Sequence, residues 1–304
     1  MIDLIGLVAA ILRVSTPLVL AGLGVHVSAR AGVLNIGIEG MMLAGALAGV
    51  VISALTQDAW LGLVAALLAG AALAALLSVA IHLLRADLIL SGIALNMAAL
   101  AGTTLALFAL TGDKGISGSL PSLTLPMVNI PVIDAIPILG PILSGHHVLT
   151  YAGLIAVPLV ALLVNRTPLG LAMRAVGESP EAAAATGIPV LRVQVTALLI
   201  SGLFAGAAGA FLSMGYVSWF SQNMTAGRGF IALGAVLLGA RHPVGALIAA
   251  LLFGTFEALA VVMPGLFNDA PAELIRMIPF VVTIAALVLF SVRAQRALAL
   301  RGVK

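Results

Sequence analysis

The chain has 304 residues, of which 62% are hydrophobic and only 8% charged, where an ordinary soluble domain carries about 25% charged residues. That balance, with a mean hydropathy of +1.24, excludes a soluble globular fold and identifies an all-α polytopic membrane protein. The absence of cysteine excludes disulfides and thiolate metal sites, and a net charge of +3 marks cytoplasmic loops of a membrane protein rather than nucleic-acid binding.

The start, MIDLIGLVAAILRVSTPLVLAG, is acidic before it is basic and flows into an apolar segment, unlike a cleavable signal peptide. That segment, 4–25, is broken by Arg13 and by Thr16-Pro17. It reads as one kinked span or as a short surface helix plus a span. A polar junction at 28–30 precedes a second span at 32–55, and a third at 60–84 opens on an interfacial Trp60. Arg85-Ala86-Asp87 separates it from a fourth span at 88–110, which holds Asn96. The irregular region 111–150 carries Pro121, Pro126, Pro131, Pro137 and Pro141, which argue against one continuous helix. It contains no arginine, so it is placed outside the cytoplasm. A fifth span covers 148–164.

Residues 166–192 form the longest charged break between two spans. Thr167-Pro168 reads as an N-cap with proline in the first turn, and Gly177 reads as a stop. Ser179-Pro180-Glu181 repeats the start and Gly187 the stop. Two short helices outside the membrane are expected, joined by a tight Gly177-Glu178-Ser179 turn.

The sixth span, 193–217, offers Gly202, Gly206 and Gly209 for close helix packing. A polar loop at 218–229 leads to 230–240, half the length of the ~20 residues a full span needs. After Arg241-His242-Pro243 come a span at 244–263, an acidic loop, a last span at 274–292 and a basic tail. The arginines of 166–192 and of the tail fix those segments in the cytoplasm, and the count closes if 230–240 crosses as part of a broken helix. About nine hydrophobic segments result.

An internal repeat is also expected. GMMLAGA (40–46) aligns with GAVLLGA (234–240), and ADLI (86–89) with AELI (272–275), in the same order. The charge count gives the two copies opposite directions, the pattern of an inverted-topology repeat with a ligand path at its interface.

Several polar residues lie in lipid-compatible sequence. Asn35 and Glu39 are four apart and so fall on one face of the expected helix. They line a gate or pathway, or they make buried hydrogen bonds that brace a broken helix. Glu257, mid-span, contacts a ligand or pairs across the bundle with a residue such as Arg13. Asn96 makes an interhelical hydrogen bond or a ligand contact. Arg228 and Phe230 stand at a glycine-rich helix entry, where free N–H groups and a ring to stack on suit a flat, hydroxylated solute, unless Arg228 simply anchors the helix end at the outer interface. His82, His146, His147 and His242 lack metal spacing and read as interfacial. No catalytic or metal-binding constellation is found. No G-x-x-x-x-G-K-[ST] motif is present, so energy for transport comes from another chain or from an ion gradient.

Glu181-Ala182-Ala183, three further residues and Gly187 resemble the EAA-type loop of ABC-importer permeases, which docks into a cleft on the ATP-binding subunit. AGVLNIGIEGMMLAGA (31–46), MRAVGESPEAAAATGI (173–188) and AGRGFIALGAVLLGARHPVGAL (226–247) resemble the nucleoside-importing permeases. Those belong to the wider group that handles branched-chain amino acids and simple sugars. The resemblance implies a single permease domain over 1–304, with a vitamin-B12-importer-like (type II) bundle of about ten helices in an inverted repeat. It implies a homo- or heterodimer with a second permease subunit, an ATP-binding cassette subunit and an external substrate-binding protein. It implies coupling to the ATPase through Arg174, Gly177, Glu178, Glu181, Ala182, Ala183 and Gly187, and ATP held by that partner, with no cofactor on this chain. Permeases for branched-chain amino acids or simple sugars, and an ion-coupled secondary transporter using Glu39 and Glu257, are the alternative readings.

Overall fold

The computed structural model describes residues 4–262 except 135, 137, 138, 240 and 241, together with positions 281, 285 and 288. Apart from those three positions, the expected last span lies outside the described residues, as do the acidic loop before it, the basic tail, Arg241 and the second arm of the repeat at 272–275.

The first apolar segment is one helix, α1 (Leu4–Arg30), of 27 residues, about 40 Å long. It runs through the expected polar junction at 28–30. Pro17 lies inside it and cannot donate to the carbonyl one turn back. Beside that gap Thr16 Oγ1 donates to Leu12 O (2.9 Å), and its oxygen stands 3.1 Å from Thr150 Oγ1, within reach of that hydroxyl's proton. The chain then turns at Gly32, whose φ of +78° glycine adopts without a Cβ penalty. Helix α2 (Ile38–Thr56) therefore begins six residues later than the pattern suggested.

Asp58 caps α3 (Ala59–Ser78), accepting from Trp60 N at 2.7 Å, and the helix continues as a π-helical turn at Val79–Leu83. Asp87 caps α4 (Leu88–Thr111) through Leu90 N at 2.9 Å. The proline-rich region folds into short pieces: β1 (Met127–Val128), α5 (Pro131–Asp134), α6 (Leu139–Leu143) and β2 (His146–His147), with β1 and β2 antiparallel. His146 and His147 are buried, not interfacial as expected, and each sets a ring nitrogen on a carbonyl, of Ile142 and Leu125 respectively.

Helix α7 (Val148–Arg166) leads into α8 (Pro168–Glu178) and α9 (Pro180–Ala185). Helix α10 (Val190–Ala210) ends in a second π-helical turn, Phe211–Tyr216. Helix α11 (Arg228–Leu238) has 11 residues, too few to cross a bilayer, and α12 (Pro243–Val262) follows. Seven described helices are long and apolar enough to span a membrane.

Helices α1, α2 and α10 form the centre, and α3, α4, α7 and α12 surround them; 67% of the α2 and α10 windows is buried against 22% of α4. The small residues expected to pack do so. A Cβ on Gly206 would strike Ala66 O of α3, one on Gly202 would lie 2.6 Å from Ala74 Cβ, and one on Gly209 would meet Met42 of α2. Backbones this close gain dispersion contact that larger residues forfeit.

Candidate coupling and translocation sites

The paired short helices follow from their capping chemistry. Thr167 Oγ1 accepts from Gly170 N (3.1 Å) to start α8, and Ser179 Oγ accepts from Ala182 N (3.3 Å) to start α9. Gly177 does not stop α8, which runs on through Glu178, and the joint is the extended Ser179. Gly177 is needed for closeness instead: a Cβ there would collide with Arg30 O and stand 3.3 Å from Gly32 N. Helix α8 thus lies backbone-to-backbone on the α1–α2 junction. Gly187 does end α9, at φ +84°. Its N–H donates to Ala184 O (2.9 Å) and that of Ile188 to Ala183 O (3.1 Å), the left-handed closure glycine favours.

Met173, Val176 and Ala183 face inward, while Glu178, Glu181, Ala182 and Gly187 are exposed and Arg174 is half-buried. Leu171 is exposed too. It stands two turns from Glu178 on the same face of α8, and no capping or spacing signal in the sequence singles it out.

Asn35 and Glu39 do not share a helical face, because Asn35 precedes α2. Its Nδ2 donates to Ser201 Oγ of α10 at 2.9 Å, tying the turn to the centre of the bundle. Glu39 reaches the start of α11: Oε1 accepts from Gly227 N (2.8 Å) and Oε2 from Gly229 N (2.7 Å). A carboxylate is thereby held on free N–H groups at the positive end of a helix. Asn96 has both amide atoms occupied, accepting from Gly40 N (2.8 Å) and donating to Ile36 O (2.9 Å), so it staples α4 to the entry of α2.

Glu257 pairs with Arg228 rather than with Arg13. Arg228 also donates from Nη1 to Met224 O at 3.1 Å. It is therefore tied into the bundle and is not a free anchor at an interface. A cavity of about 30 Å³, room for one water, lies beside the pair, lined among others by Arg13, Pro17, Tyr216, Arg228 and Glu257. Glu257 Oε2 has no partner among the described residues. Nothing in the spacing of Tyr216 announces that the π-helical turn brings it here. Phe230 is half-exposed and does not line this cavity.

Residues 7–287 match the family described as branched-chain amino acid transport system / permease component. A guanosine ABC transporter permease of Bacillus subtilis is 37% identical over 300 residues, covering 95% of this chain and 93% of its own length. A nucleoside ABC transporter permease of Lactococcus lactis is 36% identical over 296 residues, 93% of this chain and 92% of its own. A provisionally assigned glucose ABC transporter permease of Haloferax volcanii is 41% identical over 256 residues, 84% of this chain and 76% of its own. No solved structure matches the chain significantly. A polytopic helical bundle, paired short helices on a charged break and a match across most of the length lead to one conclusion: the chain belongs to the branched-chain amino acid transport system permease family and is a multi-pass cell-membrane permease subunit of an ABC transporter.

Proposed function

We propose that this permease forms the translocation path of an importer for nucleosides. The observation that carries the reading is end-to-end similarity, above 90% of both chains, to relatives described as guanosine and nucleoside permeases. In this reading the chain is one permease domain in a vitamin-B12-importer-like bundle of nine to ten helices with an inverted repeat. The half-length α11, capped by Glu39 of α2, suits such a broken-helix design. It works beside a second permease subunit and receives solute from an external binding protein. ATP is bound and hydrolysed by a separate cassette subunit that grips α8 and α9 on the cytoplasmic side. Arg174, Gly177, Glu178, Glu181, Ala182, Ala183 and Gly187 form that grip, and Asn35, Glu39, Asn96, Arg228, Phe230 and Glu257 shape or brace the path.

The test is uptake of labelled guanosine and inosine by the assembled importer in proteoliposomes, with ATP inside. Glu181→Arg reverses an exposed charge, and Gly187→Pro forces out a positive φ that proline cannot adopt. Both variants insert normally, yet uptake falls at least tenfold while the cassette still hydrolyses ATP. Full uptake by both would remove the coupling role. A sugar path is the second reading, favoured by the glucose permease relative; glucose uptake without nucleoside uptake would select it.

A further inference from the structure

The least buried of the described spanning helices carries a broad, open groove. Along one face of α4, from Met97 and Leu100 through Thr104 to Phe108, an open cleft of about 630 Å³ ends between Lys114 and Gln222. That volume lies within the range of small-molecule sites, about 300–1,000 Å³. The far end from the coupling helices is built, not incidental. Ile116 bridges Ser221, Gln222 N donates to Gly115 O (2.8 Å), and Ser117 N donates to Phe220 O (2.9 Å). These bonds strap the segment after α4 to the loop before α11 and bring two exposed polar side chains, 108 positions apart, to one mouth. Asp113 turns its carboxylate to Gly115 N (2.8 Å), in the same strap. Lys114 Nζ lies over the Phe108 ring, 5.1 Å from its centre, a cation–π contact that an entering solute would share or displace, and Phe108 is 44% exposed.

We propose that this groove is a solute-contact site of the translocation path, taking a neutral, flat, hydrogen-bonding solute of the nucleoside class. The proposal rests on the nucleoside reading above and adds a location and a chemistry to it. Phe108 offers a ring for a base to stack on. Gln222 presents both a donor and an acceptor to a base edge, and Lys114 donates to a carbonyl or ring nitrogen. The apolar floor of Met97 and Leu100 takes a solute that has shed its water. A lipid tail would leave Gln222 without use, and a branched-chain amino acid would leave the ring without a stacking partner.

The natural chain has no cysteine, so single thiols report directly. Thr104→Cys and Leu105→Cys lie in the groove, and Leu159→Cys, on the exposed side of α7, is the control. In the complete importer in proteoliposomes, with ATP, both groove thiols react with a water-soluble methanethiosulfonate. Saturating guanosine slows that reaction at least threefold, and the control thiol stays unlabelled. Phe108→Ala lowers guanosine uptake about tenfold and Phe108→Trp restores it. Groove thiols that fail to react, as a lipid or second-permease cover would cause, overturn the site, and so does labelling that guanosine leaves unchanged. Wild-type uptake separates the two failures. If no nucleoside is taken up, the functional reading falls and the site with it; if guanosine is taken up without protecting the thiols, the site alone falls.

Discussion

Glu39 shows how a residue's chemistry is legible before its partner is. An acid near the start of an apolar span must face protein or water, and that much follows from position alone. Its acceptors' work is done 188 and 190 residues away, on Gly227 N and Gly229 N, a separation that no local pattern reports. The same holds for Glu257. Its position mid-span leaves it a ligand contact or a cation such as Arg13, and local pattern does not point to Arg228. Only the helix break before α11 puts Arg228 in reach while Arg13 lines the neighbouring cavity. Glu39→Ala leaves two helix-start N–H groups unpaired, and it is expected to cost about 2–4 kcal/mol, since a buried unsatisfied donor costs about 1–3 kcal/mol. Glu39→Gln keeps one good acceptor and loses about half as much. Denaturant or thermal unfolding of the solubilised protein measures both, and an alanine variant as stable as wild type would refute the capping role.

At the scale of the element, α8 and α9 were readable because their signals are local: a hydroxyl at the N-cap, proline in the first turn, a positive-φ glycine at the end. Gly177 was misread because the same residue type serves for a helix stop and for a close approach. Which one applies depends on Arg30 O, far away in sequence. The late start of α2 and the π-helical turns closing α3 and α10 were invisible for a related reason. An apolar run fixes burial but not which carbonyl each N–H will choose. The Gly177 seam makes its own prediction. Gly177→Ala pushes α8 off the α1–α2 junction and costs about 1–3 kcal/mol as local overpacking. The junction leads through the turn at Asn35 to Glu39 and so to α11. Coupling is therefore expected to suffer more than stability: in the assembled importer the ratio of solute imported to ATP hydrolysed drops at least fivefold. An unchanged ratio would show that motion does not pass through this contact.

For the whole molecule, the hydrophobic effect sets the bilayer location but cannot order helices within it, because lipid tails are as apolar as leucine. The order comes from small residues, which let α10 press its glycines on α2 and α3, and from the few polar staples, Asn35 to Ser201 and Asn96 to Gly40. Composition therefore disclosed a membrane bundle, and the glycine spacing disclosed that α10 packs tightly, but neither named its neighbours. Two glycines separate the central packing from the periphery. Gly206 sits on α10, where a Cβ would collide with Ala66 O, so Gly206→Val is expected to cost at least about 3 kcal/mol, beyond ordinary overpacking because the obstacle is backbone. Gly102 sits on α4, where a Cβ would meet nothing within 4 Å. There Gly102→Ala removes backbone freedom from the unfolded chain and is expected to raise stability by up to about 1 kcal/mol. Both are read by unfolding the isolated subunit in detergent, where no second subunit lies against α4. If the two substitutions had equal effects, α10 would not be the centre of the fold. If Gly102→Ala were neutral in the isolated subunit but weakened the assembled importer, the bare side of α4 would be the surface on which a second permease rests.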